Sequence, residues 1–223
     1  MLNQHILLAP PPRWCIINMA ETKQKTVLVT GFGPFGEHKV NASWMAVKEL
    51  ERLWEDRSPE LKSYALKTRE VRVAYSYVLN SLDRIYEECC PNLCVHVGVS
   101  PYSTITLERR GKNQGYRHLD VDGRRPFTGT CVENAPEEIA TQFDLEGVCE
   151  ALSGRQGVEF DISEDAGRYL CDFIYYKSLH MNKCPVLFVH VPPLDKPYTD
   201  KQMGQALKDL LEVLVSKMDA IKK

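Results

Sequence analysis

Short runs of β-branched and other apolar residues alternate along this chain with longer stretches of helical period. The strand-sized runs cover residues 26–29, 66–73, 93–97, 104–107, 158–162 and 185–191. The stretches of helical period cover residues 44–54, 75–88, 144–152, 167–179 and 199–218. Such alternation favours parallel strands joined by helices that pack on both faces of a sheet. The sequence therefore predicts an α/β fold, a single-domain three-layer α/β/α sandwich with a mostly parallel, twisted central sheet.

Length and charge narrow the class of protein further. At 223 residues, 43% of them hydrophobic, the chain can bury a full core, and its length favours one domain. A net charge of −2 with both signs interspersed offers no basic face for nucleic acid and no polybasic patch for a membrane. Residues 1–24 include three consecutive prolines and have no strand or helix period. We therefore expect a flexible N-terminal leader at 1–24 and one domain at 25–223.

A glycine-rich loop follows the first predicted strand. Residues 31–36 read Gly-Phe-Gly-Pro-Phe-Gly, and Asn41 or Ser43 can cap the helix that comes next. The loop lacks both the Lys-Ser/Thr pair of a phosphate-binding loop and the spacing of a dinucleotide-binding loop. Two phenylalanines beside glycines instead suit an apolar pocket for a flat, uncharged group, although Phe32 and Phe35 could equally be ordinary core residues.

Cys171 and His190 form a candidate nucleophile and base. Cys171 falls in what reads as the first turn of a helix, where unpaired N–H groups and the positive end of the helix dipole stabilise a thiolate. His190 closes the apolar run 186–189 and precedes a loop. A thiol and an imidazole at the same edge of a sheet could act as a nucleophilic pair. Without other signals, however, Cys171 could also be a small buried hydrophobic residue.

A third group must orient the imidazole, and the residue pattern leaves three carboxylates open for that role: Glu108, Asp165 and Asp172. The Gly31 loop, Glu108 and His190 all follow predicted strands, and Cys171 opens a helix after one. In parallel α/β sheets, sites lie beyond the carboxyl ends of the strands. We therefore expect these groups to share one rim of the sheet.

Cys89, Cys90, Cys94 and His96 are close together in sequence and raise the question of a zinc site. Adjacent cysteines do not easily converge on one tetrahedral ion, and no second ligand pair follows at finger-like spacing. We therefore expect no metal site, and we expect His96, in the middle of a strand, to be a core histidine whose nitrogens are satisfied by neighbours.

Separated motifs in one colinear order also resemble the animal-type pyroglutamyl peptidase I family. The motifs are TGFGPFGE at 30–37, VNASW at 40–44, HVGVS at 96–100, TLE at 106–108, NQGY at 113–116, SEDAGRYLCD at 163–172 and HVPPL at 190–194. The resemblance extends over about residues 26–215. It implies a cytoplasmic cysteine exopeptidase that acts on peptides with an N-terminal pyroglutamate (5-oxoproline) and needs no cofactor.

The resemblance also assigns residues. It implies a catalytic triad of Glu108, Cys171 and His190, and it implies substrate-binding roles for six residues: Phe32, Phe35, Val99, Arg117, Tyr169 and Leu170. In this interpretation the phenylalanines line the lactam pocket, Tyr169 and Leu170 add apolar wall, the backbone near Val99 hydrogen-bonds the lactam, and Arg117 supplies a basic group.

Two other functions are compatible with the architecture. One is a catalytically silent paralogue that binds pyroglutamyl peptides. The other is a nucleoside phosphorylase-like transferase, which would need arginine and serine ligands for phosphate where this chain has phenylalanines. We expect a monomer or a weak homo-oligomer, with no nucleic acid or membrane partner.

Overall fold

The computed structural model describes residues 24–36, 39–155 and 157–221. Nearly all of the predicted leader at 1–24 lies outside these ranges, so the domain boundary near residue 25 stays a prediction. None of the helices in the described ranges is long and apolar enough to cross a membrane.

The strands and helices alternate much as predicted. The strands are β1 (Lys25–Phe32), β2 (Tyr64–Val71), β3 (Leu93–Val99), β4 (Ile105–Glu108), β5 (Arg110–Lys112), β6 (Glu138–Ala140), β7 (Phe160–Ser163) and β8 (Val186–Val191). The α-helices are α1 (Ala42–Leu53), α2 (Tyr75–Cys89), α3 (Leu145–Leu152), α4 (Leu170–Met181) and α5 (Asp200–Ile221). Short 3₁₀ turns at Trp54–Asp56 and Pro59–Ser63 connect α1 to β2.

The central sheet has the strand order β2-β1-β3-β8-β4-β7, and β5 pairs separately with β6. Neighbouring strands of the central sheet are parallel except for β4 and β8, which pair antiparallel. Strands β4 and β7 therefore run against the other four. The sheet is mostly parallel, as the sequence predicts, but its direction reverses beside β8.

Helices cover both faces of the sheet. One apolar cluster contains side chains of α1, α3 and α5 together with Val27 and Val29 of β1. The other contains side chains of α2 and α4 together with Leu28. Since successive side chains of a strand point to opposite faces, this division confirms the three-layer α/β/α architecture.

The start of α1 agrees with its sequence signal. Asn41 is the N-cap, and its Oδ1 accepts a hydrogen bond from the backbone N–H of Ser43 at 3.0 Å. The Ser43 hydroxyl in turn accepts a hydrogen bond from the backbone N–H of Phe32 at 3.0 Å. The cap therefore also fixes the backbone where β1 enters the glycine-rich loop.

Helix α4 begins at Leu170, three residues after the predicted start. Gly167 has a φ of +90°, in the left-handed region, and Tyr169 is extended at φ −135° and ψ −159°. Neither conformation continues a right-handed helix. The chain therefore makes a turn at Gly167 and enters the helix one residue before Cys171.

A buried carboxylate in the loop between β5 and β6, that of Asp120, links this loop to helix α2. Asp120 Oδ2 accepts a hydrogen bond from the backbone N–H of Tyr75, the first residue of α2, at 2.9 Å. Its Oδ1 accepts hydrogen bonds from the backbone N–H groups of Asp122 and Arg124, each at 2.9 Å. The N-cap residue of α2, Ala74, has no side chain that could do this. Asp120 therefore caps a helix that lies 45 positions earlier in the chain.

We expect Asp120→Ala to lower the free energy of unfolding by about 2 kcal/mol, because buried N–H donors lose a charged acceptor and α2 loses its cap. Urea unfolding followed by circular dichroism measures this. Asp122→Ala is the matched control, because Asp122 pairs at the surface with Arg72 and exposed ion pairs contribute little. Equal losses in the two variants would contradict this role for Asp120.

Candidate active site

Cys171 is the second residue of α4 and lies at the edge of a cavity. The first hydrogen bond of the helix runs from the backbone N–H of Phe173 to the carbonyl of Tyr169 at 3.0 Å. The N–H of Cys171 therefore belongs to the first turn, whose N–H groups have no partners within the helix. Cys171 therefore lies in the first turn of a helix, as the sequence predicts.

Gly98 of β3 packs directly beneath the thiol. A methyl group on the Cα of Gly98 would lie 2.7 Å from Cys171 Sγ and 2.8 Å from Cζ of Phe188. No side chain fits at this position unless the thiol or the ring moves. The glycine of the HVGVS motif is needed because helix α4 approaches strand β3 so closely at Cys171.

His190, on β8, lies between the thiol and a carboxylate. Its Nδ1 is 2.7 Å from Glu108 Oε1, and it lines the same cavity as the Cys171 thiol. Burial by itself lowers the pKa of His190, but interactions with Cys171 and Glu108 outweigh it and raise that pKa to about 9. The site therefore favours the protonated imidazole.

Glu108 reaches His190 by a route that differs from the predicted one. The expectation that Glu108 lies at the carboxyl-end rim shared by parallel strands is wrong, because β4 runs antiparallel to β8. In their register Thr106 is opposite His190 and Glu108 is opposite Phe188. Paired positions of neighbouring strands project to the same face, and a diagonal neighbour is within reach of a long side chain. Glu108 therefore contacts the imidazole diagonally across the sheet.

One oxygen of the buried Glu108 carboxylate faces the imidazole. Glu108 is completely buried, and its Oε2 has no hydrogen-bond partner among the described residues. The pairing with Oε1 fixes the orientation of the His190 ring, and it leaves Nε2 as the nitrogen that faces away from Glu108.

The other two candidate carboxylates have different partners. Asp172 accepts hydrogen bonds from the backbone N–H of Lys112 and from the Tyr116 hydroxyl, each at 3.0 Å, and burial raises its pKa to about 7. Asp165 accepts from the Gly167 N–H and pairs with Arg168 and Lys112. Among the three, only Glu108 has a contact with His190.

The cavity beside Cys171 and His190 has a volume of about 280 Å³ and largely apolar walls. Five of the six predicted substrate-binding residues line it: Phe32, Phe35, Val99, Tyr169 and Leu170. The lining also includes residues that the sequence did not single out for binding: Asn41, Val73, Ser100, Pro101, Tyr102, Asp165, Ala166 and Gly167. Asn41, Ser100 and residues 165–167 lie inside the motifs quoted above, whereas Val73 and Tyr102 carry no sequence signal.

Arg117 does not line this cavity. It is exposed on the loop after β5, where its carbonyl accepts a hydrogen bond from Arg125 at 3.1 Å. A separate surface groove contains Arg117 together with Arg125 and Phe127. Arg117 therefore lies outside the lining of the cavity that contains Cys171 and His190.

His96 is confirmed as a core histidine. Its Nδ1 is 2.7 Å from the Thr30 hydroxyl and its Nε2 is 2.7 Å from the Ser178 hydroxyl, and burial lowers its pKa to about 3. Across the ranges 24–36, 39–155 and 157–221, no group of three or more His, Cys, Asp or Glu side chains could hold a metal ion.

We expect Glu108→Gln to lower the pKa of His190 by roughly 1 to 3 units, because it removes the opposite charge nearest the ring. The titration of the imidazole can be followed by nuclear magnetic resonance. Glu146→Gln, a surface carboxylate paired with Arg109, is the control and should leave the titration unchanged. An unchanged His190 titration in Glu108→Gln would contradict the assigned pairing.

The same pairing predicts a pH dependence of stability. The pKa of His190 lies above its ordinary value of 6.5, so the folded state holds this proton more tightly than the unfolded state. The resulting stabilisation is complete below pH 6.5 and is lost as the pH rises through about 9. In Glu108→Gln this loss should occur at a lower pH, which urea unfolding across the range would detect.

The chain is similar over most of its length to known proteins. A family model described as pyroglutamyl peptidase matches residues 25–218. Pyroglutamyl-peptidase 1 of Mus musculus is 45% identical over 201 residues, which cover 89% of this chain and 94% of the mouse protein. The Homo sapiens protein of the same name has the same identity and coverage.

A solved structure is also similar. That of pyrrolidone carboxyl peptidase from Thermococcus litoralis has a TM-score of 0.76 and 26% sequence identity, and the match covers 88% of this chain and 96% of that chain. The fold, the family match and the sequence relatives agree, and they show that this chain belongs to the pyroglutamyl peptidase family of cysteine peptidases.

Proposed function

We propose that this chain is a cysteine exopeptidase, an omega-peptidase, that hydrolyses the bond after an N-terminal pyroglutamyl residue through a Glu-Cys-His triad. The observation that carries the proposal is the Glu108–His190 hydrogen bond in a cavity that His190 and Cys171 line together with Phe32 and Phe35. Family membership supports the reaction and the substrate class.

The first half of the reaction forms a thioester. The Cys171 thiolate attacks the pyroglutamyl carbonyl carbon, and N–H groups of the first turn of α4 stabilise the negative oxygen that develops. The protonated His190 donates its proton to the leaving nitrogen as the carbon–nitrogen bond breaks. The shortened peptide leaves with a new amino terminus, and the acyl group stays on sulfur.

The second half regenerates the enzyme. Neutral His190 takes a proton from a water molecule that attacks the thioester carbon. The carbon–sulfur bond breaks, pyroglutamate leaves, and the thiolate is restored beside the imidazolium. Glu108 holds the ring orientation through both steps and stabilises its positive charge.

The cavity supports selection of the substrate class. A pyroglutamyl ring is neutral and nearly flat, so the ring faces of Phe32 and Phe35 and the wall formed by Tyr169 and Leu170 can enclose it. A free α-amine would carry a charge into the same largely apolar space, where the lining carboxylate of Asp165 already pairs with Arg168 and Lys112, and this is costly. In this proposal the backbone of Val99 meets the polar edge of the lactam.

Two observations weigh against the other functions considered. A silent binding paralogue would not need the Glu108–His190 pairing, which is intact at 2.7 Å. A phosphorylase-like site would need basic ligands, and no arginine or lysine belongs to the described lining of this cavity. We also propose that the enzyme acts without a cofactor, in the cytoplasm, and as a monomer or a weak homo-oligomer.

We expect Cys171→Ala to lower kcat/KM for pyroglutamyl-aminomethylcoumarin by more than about a hundredfold, because loss of a triad nucleophile normally costs several orders of magnitude. Cys149→Ala is the matched control: Cys149 is a free, half-buried thiol that lines a different groove. The double variant Cys171→Ala/His190→Ala should be no slower than Cys171→Ala, because triad members act as a unit. Retention of more than about 1% of activity in Cys171→Ala would refute the assignment.

Gly98→Ala tests the close approach beneath the thiol. The added methyl must displace Cys171 Sγ, and a displacement of about 1 Å can cost a hundredfold in rate. We expect kcat to fall by roughly that factor. Gly111→Ala is the control, because its methyl would meet the backbone of Tyr176 in the same helix at 2.9 Å, away from the thiol. A comparable loss of kcat in both variants would mean that helix displacement in general, not contact with the thiol, is responsible.

A further inference from the structure

Ser100 has a buried hydroxyl with no assigned role. It is 6% exposed and lines the cavity, and its Oγ has no hydrogen-bond partner within the described ranges. Buried hydroxyls normally have such a partner, because leaving one without it is unfavourable. A buried polar atom without a partner at a cavity wall indicates a missing partner, such as a bound ligand.

The strand register places this side chain on the face of the nucleophile. His96 of β3 points toward α4, where it meets Ser178, and Gly98 lies against the Cys171 thiol. The pairing with β8 continues past the end of β3, since the backbone N–H of Ser100 donates to the carbonyl of Val191 at 3.0 Å. Because side chains alternate along a strand, Ser100 projects to the same face as residues 96 and 98.

The other polar side chains of the cavity wall are already committed or lie at its mouth. Asn41 accepts from Ser43 and donates to the Gly33 carbonyl at 3.0 Å. Asp165 pairs with Arg168 and Lys112. Tyr102 is 58% exposed. Ser100 therefore provides the uncommitted hydroxyl within a largely apolar wall.

We propose that the Ser100 hydroxyl hydrogen-bonds the polar edge of the substrate's lactam ring and is a specificity-determining residue. The inference rests on the proposed function, because that function supplies the lactam. Apolar walls select a flat ring but do not distinguish a lactam from a carbocycle of the same shape. Beside the backbone of Val99, which can bond one polar group of the lactam, a hydroxyl that donates to the ring carbonyl or accepts from the ring N–H adds to that distinction.

The test uses Ser100→Ala and two readouts. The first is KM for pyroglutamyl-aminomethylcoumarin, which should rise roughly tenfold, the cost of about one hydrogen bond, while kcat changes little. The second is protection of Cys171 from iodoacetamide by 2-pyrrolidone, the bare lactam. The concentration for half protection should rise by a similar factor, while the labelling rate without lactam stays the same.

Matched variants and a matched ligand sharpen the test. Ser103→Ala removes an exposed hydroxyl from the same loop and should change neither readout. Ser100→Thr keeps the hydroxyl and should stay within about threefold of wild type in both. Cyclopentane, which has the ring shape but no polar edge, should protect wild type and Ser100→Ala equally.

Thermal stability separates ligand binding from a structural role. Because no protein group within the described ranges bonds the hydroxyl, Ser100→Ala should melt at the same temperature as wild type or higher. Addition of 2-pyrrolidone should raise the melting temperature of wild type more than that of the variant. A clearly lower melting temperature for the free variant would show that the hydroxyl has a structural partner and would overturn the proposal.

The remaining outcomes are also distinct. Unchanged KM and unchanged protection in Ser100→Ala would overturn the role of Ser100 while leaving the peptidase intact. If wild type does not cleave the pyroglutamyl substrate, the proposed function fails, and protection by 2-pyrrolidone still reports whether Ser100 binds a lactam.

Discussion

The antiparallel pairing of β4 with β8 is the contact on which the active site depends. It places Glu108 one diagonal step from His190 on the face that α4 covers, and so brings a carboxylate to the imidazole that shares a cavity with the Cys171 thiol. If β4 ran parallel to β8, a different register would be needed to bring Glu108 to this imidazole. The reversal of strand direction therefore has a chemical consequence: it brings to His190 the carboxylate that, after Cys171, raises its pKa.

The candidate site also requires the start of α4 to lie close to the backbone of β3. The start of α4 lies so near β3 that only a glycine fits at position 98, and the left-handed turn at Gly167 lets the chain enter the helix at that distance. Hydrogen bonds to the buried carboxylates of Asp172 and Asp120 hold the neighbouring segments in place. Asp172, next to Cys171, accepts from Lys112 and Tyr116, and this ties β5 and the loop after it to the first turn of α4. Asp120 anchors the next part of that loop to α2, and the Tyr169 hydroxyl donates to the carbonyl of Leu119 within it.

The sequence predicted local features well because their causes act over a few residues. Helical and strand periodicity gave the order of elements, and the Asn41 cap, the placement of Cys171 in a first turn and the satisfied His96 all held. The start of α4 was missed by three residues because Gly167 and Tyr169 adopt turn conformations that a helical hydrophobic pattern does not reveal. Arg117 was assigned by resemblance alone, and in the structure it lines a separate groove and not the cavity.

By itself the sequence determined the α/β class, the alternation of layers, a cysteine at a helix start and a histidine at the end of a strand. These follow from side-chain period, capping chemistry and β-propensity, which depend on neighbours in the chain. The residue pattern left Glu108, Asp165 and Asp172 open and the resemblance pointed to Glu108, whose contact with His190 the tertiary structure then showed. Only the tertiary structure decided that Gly98 lies under the thiol and that Ser100 lines the cavity with no hydrogen-bond partner for its hydroxyl among the described residues. Each of these depends on residues far apart in sequence, such as 108 and 190, whose contact is set by strand order and direction rather than by local preference.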